Sequence, residues 1–73
     1  MSYMTEKYMI EQVSTINDKF VITLDKECLL EAFKFKYIVV DGKKIKYSLT
    51  HSEDTLIIDK LDFEMKGKTV VFA

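Results

Sequence analysis

His51, Ser52, Glu53 and Asp54 stand consecutively in HSED, and with Cys28 they are the residues of this chain whose types could do chemistry. An imidazole beside carboxylates can ligate a cation, and one beside a hydroxyl or thiol can activate a nucleophile. Neither chemistry has its spacing here. A zinc centre needs three or four nitrogen, sulfur or carboxylate ligands, and the sequence holds one His and one Cys. A calcium loop of the EF-hand type spreads oxygen ligands at alternating positions over a longer segment than HSED. Ser52 next to His51 carries no triad geometry, and no strand–nucleophile–helix motif surrounds it. These four residues therefore read as a solvated turn. Cys28 reads as a small apolar side chain near the start of a helix, with a helix-stabilised thiolate as the reactive alternative. Gly42 and Gly67 are isolated and form no phosphate-cradling loop. The chain is expected to be no enzyme, with no cofactor and no metal.

The lysines carry a second signal. KFKYIVVDGKKIKYSL (34–49) is a hairpin sequence around Asp41-Gly42. Phe33, Phe35, Tyr37 and Val39 share odd numbers with Ile45, Tyr47 and Leu49, and a common apolar face requires a three-residue loop, Val40-Asp41-Gly42. That loop, a type I turn with a G1 bulge, pairs Tyr37 with Ile45 and Phe35 with Tyr47. It gathers Lys34, Lys36, Lys44 and Lys46 on the opposite face, interrupted by Ile38 and Val40. Lys34, Lys36, Ile38, Lys44 and Lys46 are thus the candidate interaction face. The plain alternative is a solvated surface whose lysines discourage edge pairing. A second candidate, for association, is the N-terminal cluster Tyr3, Met4, Tyr8 and Met9, which either packs in the core or meets a partner.

The elements that must position these residues follow from alternation. FVITL (20–24), KIKYSLT (44–50), TLIID (55–59) and KTVVF (68–72) fit strands, and STINDK, DG and HSED separate them as turns. DKECLLEAF (25–33) breaks the pattern: Asp25 suits an N-cap, and Leu29, Leu30 and Phe33 would share one apolar side of a two-turn helix. TEKYMIEQV (5–13) suits a strand, with a helix as its alternative. The fold class is mainly β, a small antiparallel sandwich or partial barrel of five to six strands with one short helix near 26–33. The alternative is α+β with a second helix at 5–13.

Size and charge narrow the function. The 73 residues make a single small globular domain, which buries only about 60% of its unfolded surface. The lone cysteine allows no internal disulfide, so stability rests on packing or self-association; five Phe and four Tyr can supply the packing. Net charge is −1 and every basic residue is Lys, which weighs against bidentate reading of DNA bases. No apolar run approaches the roughly 20 residues of a membrane helix, and MSYMTEKYMI lacks a signal-peptide pattern. With a free cysteine, this points to a cytoplasmic protein. Lys, Ile, Phe and Tyr without Arg or Pro suit an AT-rich gene of a low-GC bacterium or phage.

VDGKKIKYSLTHSEDTLIIDKLDFEMKGKTVVFA (40–73), with its DGK hairpin, TLxI strand, acidic corner and final strand after Gly67, resembles the later strands of an immunoglobulin-like module. It covers less than half the chain and lacks the paired cysteines, Trp and corner Tyr of that fold. The resemblance implies a β-sandwich and no function. The function expected is a non-enzymatic protein-interaction module, with a homodimer among its partners and no small-molecule or membrane site. The alternative is a small β-barrel binding single-stranded nucleic acid through the lysine face. It is weakened because the expected register turns Tyr37 and Tyr47 away from those lysines.

Overall fold

The computed structural model describes residues 6–59, 61 and 64–73. Six antiparallel strands, β1 (Lys7–Ile16), β2 (Lys19–Leu24), β3 (Tyr37–Val40), β4 (Lys43–Leu49), β5 (Thr55–Asp59) and β6 (Thr69–Phe72), close into a barrel in the order β1-β2-β5-β4-β3-β6. One short helix, α1 (Leu29–Lys34), lies between β2 and β3. The mainly β expectation holds, and closure through β1–β6 and β3–β6 makes a barrel where the immunoglobulin-like resemblance implied a sandwich. Segment 7–16 is strand, so the second helix is absent there.

Two strands divide their length between their two neighbours. The start of β1 pairs with β6 through Lys7–Val71 to Met9–Thr69, and the rest pairs with β2 from Ile10–Leu24 to Ile16–Lys19. A bulge between Ile10 and Gln12 bends the strand where it changes partner. Likewise β4 pairs with β3 over Lys43–Lys46 and with β5 over Tyr47–Leu49. Inward positions follow the period of two: Tyr8 and Ile10, Ile22 and Leu24, Ile38 and Val40, Leu56 and Ile58, Val70 and Phe72 are all buried. Phe72 meets Tyr8 and Tyr47 edge-on within this core, with centroids 5.4 Å away in each case.

The central hairpin differs from the sequence expectation. Val40 pairs with Lys43, Val39 with Lys44, Ile38 with Ile45 and Tyr37 with Lys46, so the turn has two residues. Asp41 (φ 52°) and Gly42 (φ 76°) both occupy the left-handed region, as a type I′ turn requires. The physical reason is that the odd-numbered aromatics are not one strand face. Phe33 belongs to α1, Phe35 lies in the connection after it, and the pleat begins only at Tyr37. Ile38 and Val40 then go inward and leave Tyr37 and Val39 outside.

The helix is shorter than expected and differently oriented. Its N-cap is Cys28, without a side-chain cap bond, while Asp25 uses Oδ1 to accept the Met9 N–H at 3.1 Å. Tethering β2 to β1 in this way takes Asp25 out of the helix. Cys28 and Ala32, one turn apart, form the core-facing side. Leu30 and Phe33 consequently point to solvent at 79% and 67% exposure.

Candidate functional site

Two surfaces emerge from this frame. The first is a cleft of about 560 Å³ beside α1, lined by Tyr8, Cys28, Leu29 and Leu30 and rimmed by Glu6, Glu27, Glu31, Glu53 and Lys34. Main-chain bonds fix its walls: the Cys28 N–H donates to the Glu53 carbonyl at 2.9 Å, and the Leu24 N–H to the Asp54 carbonyl at 2.7 Å. The HSED turn is thereby held against the segment entering α1, and this brings the Glu27 and Glu53 carboxyls together. The Glu53 carboxyl is held above its ordinary range, first by its hydrogen bond to Glu27 and then by that neighbour's charge. Glu6 is paired with Lys26 at 3.1 Å, and the Lys26 ammonium also lies 5.0 Å from the centre of the Tyr8 ring. Glu31 accepts the Glu6 N–H on Oε1 at 3.3 Å, while its Oε2 is covered without a partner among the described residues.

The buried groups at the cleft floor are electrically quiet. Burial, with Asp54 and Glu31 adding their charge, pushes the Cys28 thiol up to about 11. Burial also pushes Tyr8 up to about 12, with Glu31 and Glu6 contributing. At neutral pH Cys28 is therefore a thiol rather than a thiolate, and thiols are poor nucleophiles. Among the described residues no group of three or more His, Cys, Asp or Glu side chains could hold a metal ion. His51 and Ser52 are exposed in the turn; Ser52 donates its N–H to Thr50 Oγ1 at 3.0 Å.

The second surface is the outer side of β1, β6, β3 and β4. The register lines up Lys7, Val71, Val39 and Lys44 across four strands, with Tyr37 and Lys46 paired in the next row. The Lys44 ammonium sits 4.8 Å from the Tyr37 ring centroid, a cation–π contact.

The residues singled out in the sequence divide between these surfaces and the core. Lys44 and Lys46 share the outer face of β4, but Lys34 lies on α1 and Lys36 in the bend before β3. Ile38, expected on the interaction face, is fully buried because the two-residue turn shifts the pairing by one position. Of the association cluster, Tyr3 and Met4 lie outside the described residues. Tyr8 is in the core and Met9 is 46% exposed on the other side of the same strand. Tyr47 also belongs inside: its hydroxyl lies 2.6 Å from the carbonyls of both Ala32 and Phe35 and holds the end of α1 to β4.

Sequence reasoning missed the cleft, because Glu27 and Glu53 are far apart in the chain and only the β2–β5 pairing juxtaposes their loops. It also missed Lys7, whose place beside Val71 depends on barrel closure. Known protein families, characterised proteins and solved structures were compared with the chain. None matches it. The reading of either surface rests on its own geometry. No helix among the described residues is long and apolar enough to cross a membrane.

Proposed function

We propose that this chain is a non-enzymatic protein-interaction module that docks a partner segment on α1 and its cleft, the segment presenting apolar side chains flanked by Lys or Arg. The observation that carries the reading is the exposure of Leu30 (79%) and Phe33 (67%), one helical turn apart on the same short helix. A marginal barrel gains nothing in its own core from two such side chains in water.

Charge chooses the partner. Glu27, Glu31 and Glu53 line the cleft beside Leu30, against Lys34 among the described lining residues, while Lys26 pairs with Glu6 at the rim. A cationic group entering between Glu27 and Glu53 replaces the hydrogen bond that, with the neighbouring charge of Glu27, raises the Glu53 titration. The energetics favour a transient complex. Burying Leu30 and Phe33 contributes about 3–6 kcal/mol, no more than the low end of the roughly 4–15 kcal/mol cost of association. The cleft floor and the charge pairs must supply the remainder.

The test uses a synthetic amphipathic peptide of Leu and Lys, titrated into isotope-labelled protein and followed by amide chemical shifts. Shifts concentrated at residues 27–34 and 53, with binding abolished by a Leu30→Ser/Phe33→Ser double substitution, are expected. Glu27→Gln/Glu53→Gln should weaken binding and flatten its salt dependence. Binding should also weaken as the pH falls through the raised Glu53 titration. An undisturbed α1 in the presence of the peptide would remove the proposal. Concentration-dependent sedimentation abolished by the same Leu30/Phe33 change would reassign the surface to a homodimer contact.

A further inference from the structure

We infer that the outer face of β1, β6, β3 and β4 binds single-stranded nucleic acid without sequence preference, Lys7, Lys44 and Lys46 meeting phosphates and Tyr37 stacking on a base. The inference is independent of the α1 cleft and uses none of its residues. It stands on the observed register. The expected three-residue loop would have put Tyr37 on the face away from the lysines, whereas the two-residue Asp41-Gly42 turn places Tyr37 directly across from Lys46 on the same surface. That removes the geometric objection to a stacking role.

Three features define the ligand. First, Lys7 and Lys44 close the two ends of a row whose middle is Val71 and Val39. With strands about 4.8 Å apart, the two ammonium stems rise from backbones roughly 14 Å apart. An apolar floor between cationic margins suits a ligand with charges along its length and flat faces between them. Second, Lys44 already lies against the Tyr37 ring at 4.8 Å, so the ring presents a face to the surface cation. A base taking that position releases the ammonium to a phosphate, exchanging one π contact for another and adding an ion pair. Third, Lys7 and Lys46 have no carboxylate partner among the described residues, and Asp41 at the hairpin tip is held by Lys68 at 2.9 Å. An acidic protein would satisfy the lysines and leave the ring without a purpose. The absence of Arg makes these contacts point charges rather than bidentate forks, which fits backbone binding without base reading.

The experiment is fluorescence anisotropy of a labelled oligothymidylate against the whole chain at several salt concentrations. Three neutralised phosphates give a slope of about −2 in log K against log salt, a loss on the order of a hundredfold between about 25 and 200 mM. Tyr37→Leu is expected to weaken binding roughly tenfold or more while Tyr37→Phe, which keeps the ring, leaves it nearly unchanged. Lys44→Gln/Lys46→Gln should lower both affinity and slope. Lys7→Gln, on a different strand, should lower the slope by itself and guards against a local effect on the hairpin. Circular dichroism of each variant checks that the barrel is intact. No binding at low salt overturns the inference, as does equal loss in Tyr37→Phe and Tyr37→Leu. Competition by polyglutamate as effective as by unlabelled oligonucleotide also overturns it, in favour of an acidic protein partner.

Discussion

Cys28 illustrates how far one residue's chemistry is set by its surroundings. It caps a helix of only six residues, where a dipole would favour a thiolate, yet burial and the charges of Asp54 and Glu31 push its thiol up to about 11. The opposing effects are unequal because so short a helix has a weak dipole and the residue is only 3% exposed. The folded state thus holds this proton more tightly than the unfolded chain, whose cysteine titrates near about 8.5. Cys28 contributes no penalty below that value, and stability declines as the pH rises from there towards 11. Urea midpoints measured between pH 8 and 10 should fall for the wild type and fall less for Cys28→Ala. Tyr8 and Tyr47 have the same sign but titrate later, both being pushed up to about 12. Iodoacetamide should label Cys28 slowly at pH 8 and quickly in denaturant; fast labelling of the folded protein would contradict the assignment. That the residue packs as a small apolar side chain was legible from its sequence setting. The Tyr47 hydroxyl anchor was not, because the carbonyls of Ala32 and Phe35 reach it only once α1 lies across β4.

The hairpins show why elements were more legible than their register. Alternation located the strands at 20–24, 44–50, 55–59 and 68–72, since a period of two survives whatever the partner. Pairing required knowing where the pleat starts, and Phe33 and Phe35 looked like strand residues although the first ends a helix. Turn chemistry decided the matter locally: Asp-Gly can place both residues at positive φ, and the barrel uses that ability. The β1–β2 hairpin uses the same two-residue form with Asn17 (φ 46°) and Asp18 (φ 65°), linked by the Ile16–Lys19 pair. Asn tolerates the left-handed region well, while a Cβ at the second position carries a cost that glycine avoids. Asp18→Gly should therefore stabilise the barrel by about 0.5–1 kcal/mol, net of the greater freedom glycine gives the unfolded chain. Urea unfolding monitored by circular dichroism checks it. A lower midpoint in the variant would show that the Asp18 side chain contributes more than its backbone costs.

At the scale of the whole molecule, pairing between strands distant in sequence makes both candidate surfaces. The first strand meets the last, placing Lys7 beside Val71, and β2 meets β5, placing Glu27 beside Glu53. Neither juxtaposition has a local sequence signal, so the sites were less legible than the strands that carry them. Closure also removes the sheet edges that would otherwise pair with another chain. It concentrates stability on β6, which bridges β1 and β3 with Val70 and Phe72 fully inside. Phe72 meets Tyr8 from β1 and Tyr47 from β4, the two strands that turn the corners of the barrel. Truncating it removes both edge-on contacts and leaves a cavity, at a cost of about 3–5 kcal/mol. A domain of this length has roughly 4–11 kcal/mol in total, so the loss consumes much of the margin. Phe72→Ala should accordingly lose its near-ultraviolet circular dichroism at low urea or at ambient temperature without urea. Phe72→Leu, which retains most of the volume, should stay folded with a modestly lower midpoint. Equal midpoints for wild type and Phe72→Ala would mean that β6 is not the strand that locks the barrel. The lysine face would then need to be sought on an open sheet, where Lys7 no longer stands in line with Lys44.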